Sequence, residues 1–388
     1  MNDVFMNTYH RLPVSFAKGE GSWLFDSNGK KYLDFSTGIA VNCLGHNYPP
    51  LVDAISKQAA KLNHVCNYFQ SDVSEEFAGK LVAACAGAGM KKVFLANSGA
   101  EANEGAIKIA RKYSLSKYGK GRHTIVTLKG SFHGRTITAL SATGQDTFHK
   151  DFGPFTEGFV FLQAGDINAL DKALDPNTTA AFFLEPIQGE SGIWPQSQEY
   201  LNAAAKFCAE RDILLMFDEI QCGMGRTGTF LACEGYGIKP DVVTLAKALA
   251  GGIPAGAVLA GEKAAGVLQI GDHGSTFGGN AVAAAAGLVV LETVTKPAFL
   301  KEIARKGEKM KETIASWKHP KITAIRGKGL MLGVDIETEA WPVLEAALSR
   351  TPGLLLLGAG KQTLRILPPY TINDEEMNQG LDILRSIL

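Results

Sequence analysis

A lysine and an aspartate each follow a predicted strand. Asp218 comes near the end of the apolar run ILLMFDE, and Lys247 comes directly after DVVTLA. The carboxyl ends of strands in an open α/β sheet share one crevice, so both side chains are expected to reach the same site. Taken singly, an aspartate at a strand end is more often a turn former and a lysine more often lies on the surface. It is their joint placement that indicates a functional site.

The residues around Lys247 predict a nucleophilic amine. Small and apolar residues flank it, LA before and ALAGG after. A desolvated ammonium group loses its proton more easily, and the neutral amine then forms an imine with a carbonyl carbon. A carboxylate such as Asp218 keeps a pyridine nitrogen protonated, which turns the ring into an electron sink. The pair therefore predicts a Schiff-base site for a pyridine cofactor.

The segment NSGAEANE, which starts at Asn97, adds a candidate phosphate site. A predicted strand gives way there to a helix, and Ser98 and Glu101 have the spacing of a capping box. The helix opens on Gly99 and Ala100, whose small side chains let a phosphate approach free amide groups at the positive end of the helix dipole. Capping alone explains a serine at this position equally well. Together with Lys247 and Asp218, however, the segment supplies the third group that a phosphorylated pyridine cofactor needs.

A second glycine pattern indicates a competing class of enzyme. Gly223, Gly225 and Gly228 spell GxGxxG, the fingerprint of dinucleotide binding. The first glycine lies several residues beyond the strand end, and TGTFLACEGYG follows without an apolar helix. We interpret the segment as a loop, which argues against a nicotinamide oxidoreductase.

The elements that position these residues predict an α/β fold. Short apolar runs alternate with longer helical patterns through the middle of the chain, which is typical of a parallel sheet. The candidate strands are VFLAN from Val93, TIVTL from Thr124, AAFFLEP from Ala180, ILLMFDE from Ile213, DVVTLA from Asp241 and AVLAG from Ala257. WLFD and KYLDF near the start are expected to pair with LMLGVDI, LLLLGAG and LRILP near the end. With 388 residues the chain is longer than a single hydrophobic core usually supports.

Composition narrows the choice of partners and compartment. The 39 basic residues balance the 39 acidic ones, so no long-range field attracts nucleic acid or an anionic membrane. Six cysteines are scattered without a CxxC pair, which argues against a zinc cage and a disulfide framework. The longest apolar stretch, residues 281–291, is far shorter than the roughly 20 residues that span a bilayer. MNDVFMNTYHRL does not resemble a secretory signal, so a cytoplasmic protein is predicted.

Six motifs give the chain a specific resemblance. They are NSGAEANEGAIKIARKY from Asn97, SFHGRT from Ser131, EPIQGE from Glu185, FDEIQCGMGRTG from Phe217, TLAKALAGG from Thr244 and GSTFGGN from Gly274. In order and spacing they resemble the class III aminotransferases, which use pyridoxal 5'-phosphate, and the likeness covers nearly the whole chain. The resemblance implies a fold-type-I enzyme with a mainly parallel seven-stranded sheet in its large domain. It also implies a homodimer with active sites at the subunit interface.

The same resemblance implies a domain division and a cofactor site. Residues 51–290 are expected to form the large domain, with residues 1–50 and 291–388 building a smaller α+β domain. Phe132 is expected to stack on one face of the pyridine ring, Ile220 to meet the other, Gln221 to contact the phenolic oxygen and Thr276 to reach the neighbouring subunit's phosphate. Without the resemblance, Phe132 would be interpreted as core packing and Thr276 as a loop hydroxyl. The residues expected around the cofactor are Ser98, Gly99, Ala100, Phe132, Asp218, Glu219, Ile220, Gln221, Lys247 and Thr276.

Two arginines in the family pattern imply the substrate class, because a guanidinium binds a carboxylate through two parallel hydrogen bonds. Arg135 is expected to hold the α-carboxylate of a donor that reacts through its distal amine, with Ser275 near that substrate. Arg365 is expected to hold the α-carboxylate of 2-oxoglutarate or glutamate. Glu190 should pair with Arg365 while the donor is bound and release it for glutamate. A structural ion pair between domains is the simpler interpretation of these last two residues.

The identity of the donor depends on an absence. The stretch STGIA at residues 36–40 contains no tyrosine, whereas ornithine aminotransferases of this class carry one there. A small residue leaves room for an acyl group, which favours N-acetylornithine over ornithine, with Asn67 and Tyr68 lining the same pocket. Succinylornithine and other N-acyl diamino acids, ornithine, and 4-aminobutyrate remain candidate donors, since a hydrophobic pocket discriminates between ligands that differ by one methylene by only about 1 to 3 kcal/mol. The chain departs from the common family pattern at Ser191, usually glycine, and Gln70, often tyrosine.

The expected reaction transfers the distal amine of N-acetylornithine to 2-oxoglutarate, as in arginine biosynthesis. Lys247 and Asp218 are its predicted catalytic residues, and no metal is expected. Two competing hypotheses are a different pyridoxal-phosphate reaction and a chain that has lost catalysis. The first is disfavoured by Arg365 with Glu190, and the second by the retained lysine and aspartate.

Overall fold

A computed structural model describes residues 4–388 of the protein. The strands in that range are β1 (Phe16–Glu20), β2 (Trp23–Asp26), β3 (Lys31–Asp34), β4 (Met90–Ala96), β5 (Thr124–Leu128), β6 (Phe159–Leu162), β7 (Thr179–Leu184), β8 (Ile187–Gln188), β9 (Trp194–Pro195), β10 (Leu214–Asp218), β11 (Val242–Leu245), β12 (Gly256–Gly261), β13 (Ile322–Lys328), β14 (Met331–Ile336), β15 (Gly353–Leu355), β16 (Leu357–Ala359) and β17 (Thr363–Ile366). The α-helices are α1 (Thr37–Ala40), α2 (Pro49–Lys61), α3 (Asp72–Ala84), α4 (Gly99–Tyr118), α5 (Ile137–Ala142), α6 (Ile167–Ala173), α7 (Gln198–Glu210), α8 (Ala281–Val294), α9 (Pro297–Ser316), α10 (Ala340–Ser349) and α11 (Asp374–Ile387). Short 3₁₀ turns cover Ala86–Ala88, Asp146–Phe148, Ala232–Tyr236 and Lys247–Ala250.

The central sheet has seven strands within residues 4–388, in the order β4-β12-β11-β10-β7-β5-β6. Only β12 runs antiparallel to its neighbours. The predicted mainly parallel seven-stranded sheet is therefore confirmed, and all six candidate strands are present. The sequence analysis missed β6, because FVFL is a short segment that lies at the edge of the sheet and is only partly buried.

The inner strands are apolar along their whole length because both of their faces are covered. On β7, Phe182 and Leu184 face the core that contains α3 and α7, whereas Ala181 and Phe183 face the core beneath α4. Alternate side chains thus enter different cores, as expected for a parallel sheet between two layers of helices. This two-sided packing holds the strand ends in fixed positions, and the functional residues stand at those ends.

The beginning of α4 differs in detail from the predicted capping box. Ser98 is the N-cap, and its side chain accepts the amide of Glu101, as predicted. The Glu101 carboxylate, however, accepts the backbone amide of Asn97 at 2.6 Å and its side-chain amide at 2.9 Å, in place of the Ser98 amide. Only half of the box forms, and Asn97 is fixed beside the helix end. The start of α11 carries a complete capping box, with reciprocal hydrogen bonds between Asn373 and Glu376.

Two smaller four-stranded sheets flank the central one, and the two chain ends meet in one of them. Strand β3 pairs in parallel with β15, and β17 lies between β14 and β16. The run LLLLGAG was predicted as one strand but divides at Leu356 into β15 and β16, which belong to different sheets. The predicted pairing of N-terminal with C-terminal strands is confirmed for β3 with β15 alone, because β14 and β17 belong to the other sheet. The division into domains at residues 50 and 290 stays a prediction.

Among residues 4–388, no single helix is long and apolar enough to cross a bilayer, and α8 with α9 meets that length and composition only as a pair bent by 74°. In the same range, no group of three or more His, Cys, Asp or Glu side chains could hold a metal ion. All six cysteines are free thiols, and five of them are buried.

Candidate active site

Residues that follow β4, β5, β7, β10 and β11 line one cavity of about 480 Å³. This is the size range and the sheet edge at which α/β proteins bind small molecules. The predicted site residues that line the cavity are Ser98, Gly99, Ala100, Phe132, Arg135, Glu190, Asp218, Ile220, Gln221 and Lys247. The other four predicted residues do not line this cavity. Arg365 contacts Gln221, which does line it, whereas Glu219, Ser275 and Thr276 are described below.

Lys247 stands on the short turn that follows β11 and projects into the cavity. Its backbone φ is 49°, in the left-handed region that non-glycine residues seldom adopt, at a cost of roughly 1 to 3 kcal/mol. Among residues 4–388 its amine makes no ion pair or hydrogen bond. Burial lowers the pKa of Lys247 to about 8, and the nearby Arg365 guanidinium acts in the same direction. About one tenth of this amine is therefore neutral at pH 7, far more than for an ordinary lysine.

Asp218 is 3% exposed and is surrounded by hydrogen-bond donors. Its Oδ2 accepts a hydrogen bond from Asn103 Nδ2 at 2.8 Å and lies 2.8 Å from His133 Nδ1. Its Oδ1 accepts the amide of Ile220 at 3.0 Å. An ionised carboxylate only accepts, so the proton on the His133 ring belongs on Nδ1. These contacts stabilise the charge and fix the plane of the carboxylate, and Oδ1 can still accept a further N–H from the cavity.

Asn103 and His133 are functional candidates that the sequence analysis missed. Both are buried, and both lie inside motifs that carry the family resemblance. Asn103 stands on the apolar face of α4, where a buried polar side chain needs a partner, and its Nδ2 also donates to the His133 carbonyl at 2.7 Å. The His133 ring stacks on Phe183 with centroids 4.3 Å apart. A polar residue on an otherwise apolar helix face was the available signal for Asn103.

Glu185 is a third missed residue, and it connects two loops of the cavity. It is 5% exposed, and its two oxygens accept the amides of Phe132 at 2.8 Å and Gly189 at 3.0 Å. Burial and the neighbouring Asp218 charge raise the pKa of Glu185 to about 7. The carboxyl group therefore fixes the backbone on either side of the cavity.

The start of α4 presents free amides to the cavity. The N–H groups of Gly99 and Ala100 donate to no acceptor among residues 4–388. A side chain at Gly99 would collide with Ile220, because its Cβ would lie 2.8 Å from Cδ1 of that residue. Glycine thus allows the helix end and the Ile220 side chain to come together. Two unpaired amides at the positive end of a 20-residue helix form an anion site.

Phe132 and Arg135 form another wall of the cavity. The Phe132 ring packs edge-to-face against Phe148, with centroids 5.7 Å apart. The exposed guanidinium of Arg135 lies 4.0 Å from the centroid of Phe148. It has no salt-bridge partner among residues 4–388, so it is available to bind a carboxylate.

Arg365 is almost fully buried, at 6% exposure, and meets only neutral acceptors. Its Nη1 lies 3.1 Å from Gln221 Oε1 and 3.5 Å from the Gly189 carbonyl, its Nη2 lies 3.4 Å from the Gly358 carbonyl, and its Nε has no partner in the described part of the chain. Burial lowers the pKa of Arg365 to about 10, against the nearby Glu190 charge. A buried cation without a carboxylate partner favours the binding of an anion.

The predicted pair of Glu190 and Arg365 does not form in this structure. The two side chains make no ion pair within 4.0 Å, and Glu190 Oε2 instead accepts a hydrogen bond from Gln145 Nε2 at 2.7 Å. The structure therefore shows the separated arrangement, the one predicted for glutamate binding. Gln145 was not among the predicted site residues.

Glu219 requires a correction. It was predicted around the cofactor, but its carboxylate turns away from the cavity and accepts the amides of Ala232 and Cys233 at 2.5 and 2.8 Å. These are the first two amides of a 3₁₀ turn, so Glu219 caps that turn. Its position directly after Asp218 reverses its direction, because successive strand residues point to opposite faces.

Ser275 and Thr276 lie on a loop away from Lys247. Ser275 lines a second cavity together with Asn67 and Tyr68, and its hydroxyl accepts a hydrogen bond from Asn97 Nδ2 at 3.0 Å. Thr276 is exposed. Asn97 itself lines the cavity that contains Lys247, so this hydrogen bond connects the walls of the two cavities. Asn67 and Tyr68, predicted beside the donor, thus lie with Ser275 in this chain.

The strand order and the lysine, carboxylate and helix-end amides at its edge define a fold-type-I α/β transferase. The family model for class III aminotransferases matches residues 4–388, and the chain belongs to that family. An acetylornithine aminotransferase from Caldanaerobacter subterraneus subsp. tengcongensis is 48% identical over 386 residues, which cover 99% of this chain and 96% of that protein. The match confirms the prediction of an aminotransferase.

Solved structures agree with the fold. The ornithine aminotransferase of Toxoplasma gondii, in which PLP partly occupies the active site, has a TM-score of 0.94 at 33% identity, with 99% of this chain and 91% of that chain covered. The N-acetylornithine aminotransferase of Stenotrophomonas maltophilia K279a has a TM-score of 0.85 at 38% identity, with 98% and 96% covered. The family and these structures indicate pyridoxal phosphate as the cofactor, as predicted.

The residues present fit that cofactor. Hydrogen bonds orient the Asp218 carboxylate for a ring nitrogen, and the amides of Gly99 and Ala100 are unpaired for a phosphate. The Lys247 amine has no competing partner among residues 4–388. A charged acceptor, an anion site and a free amine around one cavity are the three groups that a phosphorylated pyridine aldehyde requires.

Proposed function

We propose that the enzyme transfers the distal amino group of N-acetylornithine to 2-oxoglutarate, giving N-acetylglutamate 5-semialdehyde and glutamate, as in arginine biosynthesis. One observation carries the proposal. A single lysine cavity is flanked by two guanidinium groups of opposite character, the exposed Arg135 and the buried Arg365. Two carboxylate-binding groups suit an enzyme that alternates between a donor with one carboxylate and an acceptor with two.

Pyridoxal phosphate, when bound, supplies an electron sink that stabilises negative charge on the substrate carbon bearing the amine. Asp218 would hold the ring nitrogen in its protonated form, with Asn103 and His133 keeping the carboxylate ionised and oriented. Phe132 and Ile220 would bound the two faces of the ring.

The phosphate would bind at the start of α4. Ser98, Gly99 and Ala100 offer the N-cap and the two free amides there. Gln221 would contact the phenolic oxygen, and Thr276 would reach the phosphate bound to a second subunit.

Lys247 is the proposed proton carrier. With its pKa lowered to about 8, the Nζ amine exists in both protonation states near neutral pH. A base of this kind can take a proton from the substrate carbon and return it to a neighbouring carbon, since proton transfer is most efficient when the pKa lies near the working pH. Arg135 would hold the donor carboxylate meanwhile.

Arg365 would then serve the second half-reaction. Its guanidinium would bind the α-carboxylate of 2-oxoglutarate or glutamate, while Arg135 would bind the distal carboxylate and Ser275 would lie near the substrate. Glu190 would neutralise Arg365 whenever a donor without that carboxylate occupies the site. The observed separation of Glu190 from Arg365 supports the arrangement needed for glutamate.

The choice of N-acetylornithine over ornithine rests on residues 36–40 and on the relatives. No tyrosine stands in STGIA, and Val41, the residue that follows this segment, lines the cavity. The related protein from Caldanaerobacter subterraneus carries the name acetylornithine aminotransferase. Succinylornithine and other N-acyl diamino acids, ornithine, and 4-aminobutyrate are the competing candidates for the donor.

The first experiment is a visible absorption spectrum of the purified holoenzyme, followed by addition of N-acetylornithine without an oxo acid. A yellow protein that bleaches would support amino transfer from this donor, and 2-oxoglutarate should then restore the colour. Ornithine is the matched control, and it should bleach the protein at least about tenfold more slowly, because the pocket is expected to favour an acylated nitrogen. Bleaching by ornithine alone would reject N-acetylornithine, and a protein that stays colourless with added pyridoxal phosphate would reject the cofactor.

We also propose a cytoplasmic homodimer with active sites at the subunit interface. Exposed apolar side chains border the second cavity, among them Tyr68 at 96%, Phe69 at 69% and Phe277 at 58% exposure. An exposed apolar patch beside a cavity is typical of a protein interface. Sedimentation equilibrium should give twice the mass of the 41.4 kDa chain, and a monomer with full activity would contradict the proposal.

A further inference from the structure

Glu190 is held by a neutral side chain and not by a cation. Gln145 Nε2 donates to Glu190 Oε2 at 2.7 Å and to the Ser131 carbonyl at 3.1 Å. Both hydrogens of this amide nitrogen are therefore used, and the direction of the Gln145 side chain is fixed by the second bond. Among residues 4–388, Glu190 has no ion pair within 4.0 Å.

Arg365, in contrast to Glu190, lacks a strong hydrogen-bond partner. Its buried guanidinium contacts Gln221, Gly189 and Gly358 through neutral oxygens only, and its Nε is unpartnered in the described part of the chain. Two carboxylates can satisfy it, that of Glu190 and that of a bound substrate. These two compete, because the same guanidinium cannot bind both in one geometry. Whatever stabilises Glu190 elsewhere thus favours the substrate.

From these contacts we propose that Gln145 is a positioning residue that holds Glu190 away from Arg365 and so sets the preference between dicarboxylate and monocarboxylate ligands. The inference rests on the proposed function of Arg365 and Glu190. A hydrogen bond to an ionised group shifts a two-state equilibrium by about 10- to 100-fold. Without Gln145, Glu190 would pair with Arg365 in most molecules.

The consequence for binding is asymmetric. The apparent affinity of a ligand is reduced by the fraction of protein in the competent arrangement. A dicarboxylate needs Arg365 free, so it should bind more weakly when Gln145 is lost. A ligand with a single carboxylate uses Arg135 and is compatible with the Glu190–Arg365 pair, so it should bind equally well or more tightly.

Isothermal titration of the purified holoenzyme with two unreactive probes tests this asymmetry. Glutarate represents the dicarboxylate, and N-acetylnorvaline represents the donor without its distal amine. In Gln145→Leu the Kd of glutarate should rise at least about tenfold, whereas that of N-acetylnorvaline should not rise by more than about twofold, as the population argument requires. An unchanged glutarate Kd, or equal weakening of both probes, would overturn the proposal.

A double-variant cycle separates the proposed role from a structural one. In a Glu190→Gln background no charged competitor for Arg365 remains, so adding Gln145→Leu should change glutarate binding by less than about twofold. A tenfold loss in that background would show that Gln145 acts only by holding the Ser131 loop, and would refute the inference. Gln145→Glu replaces the leucine variant if that variant does not fold. It keeps the shape, repels Glu190 and should weaken glutarate at least as much.

The cycle also distinguishes this inference from the proposed function. If N-acetylornithine is not the donor, the wild-type protein should bind glutarate but not N-acetylnorvaline. The comparison of glutarate affinity between the wild type and Gln145→Leu would still be decisive, because it does not involve the donor.

Discussion

At the Asp218 end of the cavity three donors surround one carboxylate, whereas at the Arg365 end a buried guanidinium meets only neutral oxygens and its Nε has no partner among residues 4–388. Both charges are nearly fully buried, at 3% and 6% exposure. The difference is therefore not one of solvent access but of how completely each charge is satisfied by the protein.

This contrast matches what each end is proposed to bind. The ring of the cofactor stays the same in both half-reactions, so the Asp218 end can be rigid and complete. The substrate carboxylates change between half-reactions, so the Arg365 end needs an unsatisfied charge and a movable partner. A fully paired arginine would bind no second anion, and a poorly held aspartate would lose its charge by desolvation.

The largest effect is expected at Lys247, which stands between the two ends. Lys247→Ala removes the only proposed proton carrier, and turnover should fall by at least about 10³-fold, the upper part of the range for loss of a general acid–base group. Single-turnover bleaching with N-acetylornithine measures this step. Lys263→Ala, a lysine that pairs with Asp212 and Asp241 at the far side of the sheet, is the control and should keep its activity. Near wild-type bleaching in the Lys247 variant would end the proposal.

The second-largest effect is expected at the Asp218 end of the cavity. Asp218→Asn keeps the shape but removes the charge that stabilises a protonated ring nitrogen, so kcat should fall about 10²- to 10³-fold, as for loss of one preorganised charge partner. The change should also lower the pKa of Lys247, because the Asp218 charge raises it. In the apo-protein, the rate of pyridoxal phosphate capture rises with pH as this amine becomes neutral, through about 8 in the wild type. The rise should occur at lower pH in the variant, and a shift to higher pH would contradict the assigned coupling.

The third prediction concerns the Arg365 end of the cavity. Arg365→Lys keeps a positive charge but loses the planar fork, so the KM for 2-oxoglutarate should increase about tenfold while the KM for N-acetylornithine changes by less than about threefold. Initial rates with each substrate varied in turn separate the two constants. Arg135→Lys is the matched comparison and should raise both, because it is expected to bind a carboxylate in each half-reaction. Equal effects from the two variants would remove the distinction between the two guanidinium groups.

Sequence reasoning described the Asp218 end of the cavity far better than the Arg365 end. Asp218 ends β10 and Lys247 follows β11, two strands whose apolar runs are unambiguous, and the convergence of strand ends is a property of the fold. Asn103 left a local signal, a polar residue on an apolar helix face, but its partners could not be named because the contacts of Asn103 and His133 join α4 to a loop distant in sequence. Glu219 was assigned from the family resemblance, which does not show that adjacent strand positions face opposite sides.

The separation of Glu190 from Arg365 depends on a balance between two partners. A motif is enough to predict which two residues could form an ion pair. It does not show which other groups bind Glu190 and Arg365 instead. Gln145 lies far from Glu190 in sequence, 45 positions away, and only the folded chain brings the two side chains to 2.7 Å. The short strand β6 was missed for a related reason, since its four residues carry little periodicity of their own.

The smallest effect is expected at Ser191, next to Glu190. Its hydroxyl is buried and has no partner among residues 4–388. Ser191→Gly removes an unsatisfied group, which favours folding by about 1 to 3 kcal/mol, but adds a flexible residue, which opposes folding by about 0.5 to 1 kcal/mol. The variant should therefore melt within a few degrees of the wild type, at or above its Tm, and its KM for 2-oxoglutarate should change by less than about threefold, since the Glu190 contact to Gln145 is retained.

Ser191→Ala separates the two contributions, because it removes the hydroxyl and keeps the backbone stiffness. It should be more stable than Ser191→Gly, by about the backbone contribution alone. If both variants instead raise the KM for 2-oxoglutarate more than tenfold, the hydroxyl must have a partner when substrate is bound, and the Arg365 end of the cavity would extend one residue beyond Glu190. That outcome would also explain why a serine replaces the usual glycine next to the residue that has to move.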